Sequence, residues 1–103
     1  NNNDLRFEAE FLSGNSKLLI SYSDDGVIKA IQKTIVLSSL KEKIKKYLVD
    51  KYPTYQLNEA SLIVKQDQKT YYNVGVSDET NYFILVFDGE GNYLYLTGVS
   101  DRL

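Results

Sequence analysis

Apolar residues recur at every second position over two long stretches of this 103-residue chain. Phe7, Ala9 and Phe11 alternate with Glu8 and Glu10, and Leu18, Ile20 and Tyr22 follow. The pattern returns 65 residues later as Tyr72, Val74 and Val76, then Phe83, Leu85 and Phe87, with Ile31 answered by Leu96. Period two is the spacing of one face of a strand. The same offset sets Gly26 on Gly91 and the polar loop 13–16 on 78–81. Both loops are short enough for hairpins. Residues 7–30 and 72–95 are therefore expected to be matching three-stranded meanders.

Between the copies the period changes. Ser39-Leu40-Lys41-Glu42 has the form of a capping box, with Ser39 at the N-cap and Glu42 at N3. Leu40, Ile44, Tyr47 and Leu48 fall on one helical stripe, and Lys41, Lys43, Lys45 and Lys46 take the other faces. Pro53 stops the helix, because it disfavours α geometry at Tyr52 and has no N–H. The spacing predicts a helix over 39–51. Strands are expected near 5–12, 17–23, 27–35, 57–65, 70–77, 81–87 and 92–99. Short loops make consecutive strands antiparallel neighbours. The order βββ-α-ββββ gives an α+β fold, an antiparallel sheet of about seven strands with one helix on one face.

The last hairpin can be taken to register. With 88–91 as a four-residue loop, Phe87 faces Asn92, Leu85 meets Leu94, and Phe83 meets Leu96. The other face then pairs Val86 with Tyr93, Ile84 with Tyr95, and Tyr82 with Thr97. Both faces are apolar, whereas a sheet with one solvated face alternates apolar and polar residues. Tyr82, Ile84, Val86, Tyr93 and Tyr95 are thus the candidate partner-binding face, away from the helix. A further helix, a second molecule or curvature of the sheet are the alternative covers.

Composition narrows the chemistry. The chain has no Cys and no His. That removes disulfides, thiol nucleophiles, Cys/His zinc sites and His-based triads. A net charge of −2 offers no global attraction to nucleic acid. No run of about 20 apolar residues is present to span a membrane. Apolar residues make up 43% of the chain, consistent with one modest core. The opening Asn1-Asn2-Asn3-Asp4 reads as the start of a processed chain or an excised fragment. Asp24-Asp25-Gly26 and Asp88-Gly89-Glu90-Gly91-Asn92 have the residues of a calcium loop. Asp, Asn and Gly are also what hairpin turns use, and that reading is preferred. Glu8 and Glu10 share one side of a strand, and the lysines form a solvated helix face. No catalytic residue, cofactor or metal is expected, and no enzyme.

Leu40, Ile44, Lys51-Tyr52-Pro53, Glu59-Ala60, Tyr71-Tyr72-Asn73-Val74 and Phe87-Asp88-Gly89-Glu90-Gly91 together resemble the PepSY-like family. These are β-lactamase-inhibitor-protein-like domains of secreted proteins from Bacteroides-type bacteria. Ser21-Tyr22-Ser23-Asp24-Asp25-Gly26 looks like the end of a preceding unit. The resemblance implies units of a helix followed by four strands, set in tandem in one curved sheet. It implies that 1–34 is the three-stranded end of a first unit and 35–103 a complete second one, in one continuous domain. It also implies an extracytoplasmic place, periplasmic or at the cell surface, and binding of a protein partner, with inhibition as one form of it. A structural or chaperone-like domain of a larger envelope assembly, or a module for glycans or small ligands, are the other readings.

Overall fold

The computed structural model describes residues 6–13 and 16–99. The expected strand start at Leu5 and the loop tip Gly14-Asn15 lie outside the described residues. Seven strands are present: β1 (Arg6–Ser13), β2 (Ser16–Ser23), β3 (Ile28–Ile35), β4 (Gln56–Lys65), β5 (Thr70–Ser77), β6 (Tyr82–Asp88) and β7 (Tyr93–Val99). One helix, α1 (Glu42–Lys51), follows a 3-10 turn at Leu37–Ser39. The strands lie side by side in chain order, each antiparallel to the next. The expected order and α+β class are therefore what the chain adopts.

The two meanders share their register pair for pair. Phe7 faces Tyr22, Ala9 faces Ile20 and Phe11 faces Leu18; in the second copy Tyr72 faces Phe87, Val74 faces Leu85 and Val76 faces Phe83. Tyr22 faces Ile28, the ladder breaks, and Ser21–Ala30 and Ile20–Ile31 resume. Phe87 faces Tyr93, the ladder breaks, and Val86–Tyr95 and Leu85–Leu96 resume. The extra residue is Lys29 in one copy and Leu94 in the other, so even the bulge recurs. The turns match too. Ser23 N–H donates to Val27 O at 2.9 Å and Gly26 N–H to Ser23 O at 2.9 Å; Asp88 N–H donates to Asn92 O at 2.9 Å and Gly91 N–H to Asp88 O at 3.0 Å. Gly26 and Gly91 have φ of 86° and 96°, where a side chain is strained.

That bulge corrects the expected register. Period-two counting from a four-residue loop placed Asn92 opposite Phe87 and Leu94 opposite Leu85. In the structure Tyr93 faces Phe87 and Leu96 faces Leu85, while Leu94 is the unpaired residue. The helix start is corrected as well. Ser39 is no N-cap: its hydroxyl donates back to Val36 O at 2.7 Å, closing the 3-10 turn. Leu40 is extended and buried, and Lys41 is the N-cap, without a side-chain cap bond.

Ile44 and Leu48 of α1 lie on Ala60, Val74, Val76, Leu85 and Phe87, and this is the core. Only the second meander is covered in this way. On the same side of the sheet in the first, Phe7 is 45% exposed, Phe11 52% and Ile28 47%. Their equivalents are Tyr72, Val76 and Tyr93, all buried or packed against the core.

The paired turns give a test by substitution. A Cβ at Gly26 meets nothing within 4 Å, whereas one at Gly91 would lie 3.2 Å from Lys43 Cβ on α1. Both Gly→Ala changes should cost about 1–2 kcal/mol of left-handed strain in urea unfolding. Gly91→Ala should cost measurably more than Gly26→Ala. Equal losses would show that the packing of this turn on α1 is unimportant.

Candidate functional site

Strand parity assigns each side chain to a face. Opposite α1 lie Gln32 and Thr34 of β3, Glu59, Ser61 and Ile63 of β4, and Tyr71, Asn73 and Gly75 of β5. Tyr82, Ile84 and Val86 of β6 and Tyr95 and Thr97 of β7 complete this outer face. Four of the five expected site residues therefore share it. Tyr93 does not.

The bulge at Leu94 turns Tyr93 to the helix side. There its ring stacks on Tyr47 with centroids 4.9 Å apart and planes inclined by 13°. Phe87 meets both rings edge-on, at 5.5 Å from Tyr47 and 5.9 Å from Tyr93. Burial raises the pKa of the Tyr47 hydroxyl above its ordinary 10.0, with Tyr93 and Tyr52 adding to it. Tyr93 is thus a core aromatic, not a surface one.

The remaining four differ in exposure. Tyr82 and Val86 are only 7% and 6% exposed, Ile84 is half-buried, and Tyr95 is 53% exposed. Tyr82 lies over Gly75, where a Cβ would come within 2.6 Å of its hydroxyl oxygen. That hydroxyl donates to Glu59, which anchors the ring across three strands. Ile63 and Tyr71, half-buried cross-strand partners, extend the same face. The Lys65 ammonium lies 4.9 Å from the centre of the Tyr71 ring. Sequence reasoning missed Ile63 and Tyr71, because Leu62-Ile63-Val64 and Tyr71-Tyr72 are apolar or aromatic at consecutive positions and leave no period to read.

At the middle of this face Gln32, Glu59, Ser61, Asn73, Gly75 and Ile84 line a shallow cleft of about 60 Å³. Gln32 Nε2 donates to Ser61 Oγ at 3.3 Å. Two wider depressions, about 540 and 440 Å³, open at the ends of the strands. The first is lined by Thr54, Gln56 and residues 77–80, the second by Lys29, Ala30 and residues 65–67. Both are open and lie where strands run into turns.

The acidic turns spend their oxygens on backbone. Asp88 Oδ1 accepts from Glu90 N–H and Asn92 N–H, each at 2.9 Å, and Oδ2 accepts from Asn92 Nδ2 at 3.1 Å. These bonds hold its carboxyl below the ordinary aspartate value of 3.8, the Asn92 backbone bond foremost. Asp25 accepts from the Ser23 hydroxyl and its carboxyl is likewise lowered. Among the described residues no three Asp or Glu side chains converge as a metal site. Glu10 pairs with Lys17 at 3.4 Å across the first hairpin, with both side chains half exposed. On α1, Lys45 pairs with Glu42 and Lys46 with Asp50.

Comparison with known proteins bears on the fold. No protein family matches the chain by sequence, and no curated protein does. Among solved structures it is similar to a DUF2874 family protein from Bacteroides ovatus, with a TM-score of 0.82 and 14% identity. That match covers 93% of this chain and 71% of the other. A candidate periplasmic protein from Bacteroides eggerthii gives a TM-score of 0.83 at 9% identity, covering 92% and 71%. A DUF2874 family protein from Bacteroides uniformis gives 0.81 at 10%, covering 91% and 71%. The chain shares its fold with these Bacteroides proteins. Among the described residues no helix is long and apolar enough to cross a membrane.

The Tyr47–Tyr93 stack predicts an energetic coupling. Single Tyr47→Ala and Tyr93→Ala variants should both lose stability in urea titrations. The double variant should lose about 0.5–1.5 kcal/mol less than their sum, as stacked aromatic pairs do. Additive losses would show that the rings act independently.

Proposed function

We propose that this chain is an exported, non-enzymatic module that binds a protein through the sheet face opposite α1. The observation that carries this reading is Tyr95. It stands 53% exposed on a face where Ile63, Tyr71 and Ile84 are half-buried, Tyr82 and Val86 are buried, and Gln32, Glu59, Ser61 and Asn73 are polar. Tyrosine suits a binding surface, since it offers a large contact area, few rotatable bonds and a polar tip. A protein fits better than a small ligand. The cleft on this face holds about 60 Å³, and ligand pockets run to about 300–1,000 Å³ with apolar walls. The resemblance to β-lactamase-inhibitor-like domains supports export and binding, with inhibition as one form, and the periplasmic description of the Bacteroides eggerthii neighbour supports export alone.

The test places a photo-crosslinking residue at Ile63, Tyr71 or Thr97, and as a control at Val49 on the exposed side of α1. Outer-face probes should capture one shared protein that the control does not. Tyr95→Ala should then weaken binding of that protein by about 2 kcal/mol or more, as hot spots do, with little loss of stability. Leu85→Ala, from the core, should cost roughly 2–5 kcal/mol of stability instead. Unchanged affinity in Tyr95→Ala would remove the face from the function.

A second reading, a structural domain completed by another segment, is favoured by Phe7, Phe11 and Ile28. Their face matches the one that α1 covers, so we read it as the seat of a helix of α1's kind. On this reading 1–34 ends a first unit and 35–103 is the second. Placing a copy of residues 37–71 ahead of residue 7 should raise the thermal midpoint and abolish binding of an apolar-surface dye. An unchanged midpoint with dye still bound would refute the seat.

A further inference from the structure

The two edges of the sheet are chemically unlike. The first, β1, carries Glu8 and Glu10. Charged side chains on an edge discourage another strand from pairing there. The last, β7, reads Tyr-Leu-Tyr-Leu-Thr-Gly-Val, with no charge and no proline. Leu94 is 43% exposed and Leu96 40% exposed. On its far side the backbone N–H and C=O groups of β7 meet no strand among the described residues.

The molecule itself shows what such an edge accepts. Position for position, β7 is the equivalent of β3. The corresponding edge of β3 is filled by β4, antiparallel, from Ala30 opposite Lys65 to Ile35 opposite Ala60. The β4 segment Leu62-Ile63-Val64 is apolar on both faces. An added strand at β7 would occupy the equivalent ladder position, beside Leu96 where β3 has Ile31. On the helix side the row Val74, Leu85, Leu96 runs out to the edge; on the outer side Asn73, Val86, Tyr95 does the same.

We infer that β7 pairs with β7 of a second copy of this chain, antiparallel about a two-fold axis near Leu96, joining two seven-stranded sheets into one. An isologous contact sets each residue against its own surroundings, so the strand must tolerate its mirror neighbour. Uncharged β7 does: Leu96 meets Leu96, and Tyr95 of each copy meets Thr97 of the other. The apolar row Val74, Leu85, Leu96 then continues across the axis, and on the outer face the row Asn73, Val86, Tyr95 runs on to Thr97 of the second copy. A head-to-tail union of β7 with β1 would instead set Glu8 and Glu10 on the face of Tyr95, and it would propagate as a fibre. The two-fold pairing closes at two copies. It does not depend on what the outer face binds. A contact confined to one strand pair falls in the small class of interfaces, so the dimer is weak.

Sedimentation of the full chain from about 1 µM to about 1 mM, the span over which weak contacts populate, reads the equilibrium. The expected result is monomer passing to dimer and no further. Hydrogen exchange should show alternate amides of residues 94–98 slowing as concentration rises. Thr97→Lys alters an exposed side chain outside the core and should raise the dissociation constant at least tenfold, leaving the low-concentration melting point unchanged. Leu96→Lys should do the same to the equilibrium, and Thr97→Lys keeps the test valid if Leu96→Lys unfolds. A monomer at the highest concentration overturns the inference. So does assembly of indefinite size, or a dimer that survives Thr97→Lys and is broken by Phe11→Asp, which would assign it to the β1–β3 apolar face.

Discussion

The seating of Ile44 and Leu48 on Val74, Val76, Leu85 and Phe87 is the contact on which the rest of the molecule depends. One ten-residue helix supplies it, and the buried residues it meets lie on β4, β5 and β6. Helices this short are marginal alone, so α1 persists because the sheet gives its stripe a place to bury. The sheet in turn gets from α1 a dry core over β4, β5 and β6, with Tyr93 of β7 packed against its margin. Every other strand is held by its neighbours' ladders and by half-buried side chains.

The two faces answer different physical demands. On the helix side Tyr47, Phe87 and Tyr93 interlock, and the aromatic mass is structural. On the outer side Tyr82 is tied down over Gly75 by its bond to Glu59, which leaves Tyr95 standing clear. Two tyrosines two residues apart, Tyr93 and Tyr95, therefore serve opposite faces with opposite exposure. Regular strand alternation would have put them on one face. The bulge at Leu94 separates them.

Much of this was legible in the sequence. The offset that matched Gly26 to Gly91 carried the strand order and the placement of both turns with it, because a left-handed turn residue fixes how a hairpin begins. Helix type and its end at Lys51 were legible from stripe and proline. The bulge was not, since Tyr-Leu-Tyr-Leu keeps an apolar residue in every position and fits either register. The capping box misled for a related reason. Ser39 and Glu42 have the right spacing, but the hydroxyl found Val36 O in a 3-10 turn first. The outer-face hydrophobics Ile63 and Tyr71 went unnoticed because a strand apolar on both sides gives no period to read.

Because every strand pairs with its sequence neighbour, the chain has few long excursions to close during folding. Such local topology favours rapid, stepwise assembly. It also makes the molecule behave in part like a linear array, in which stability is passed between adjacent units. The β4–β7 half, clamped by α1, forms a cooperative block able to template what lies beside it. The β1–β3 meander is tied to that block through the single ladder between β3 and β4. Openings that release the first meander while the second stays intact are the low-energy excursions this architecture permits.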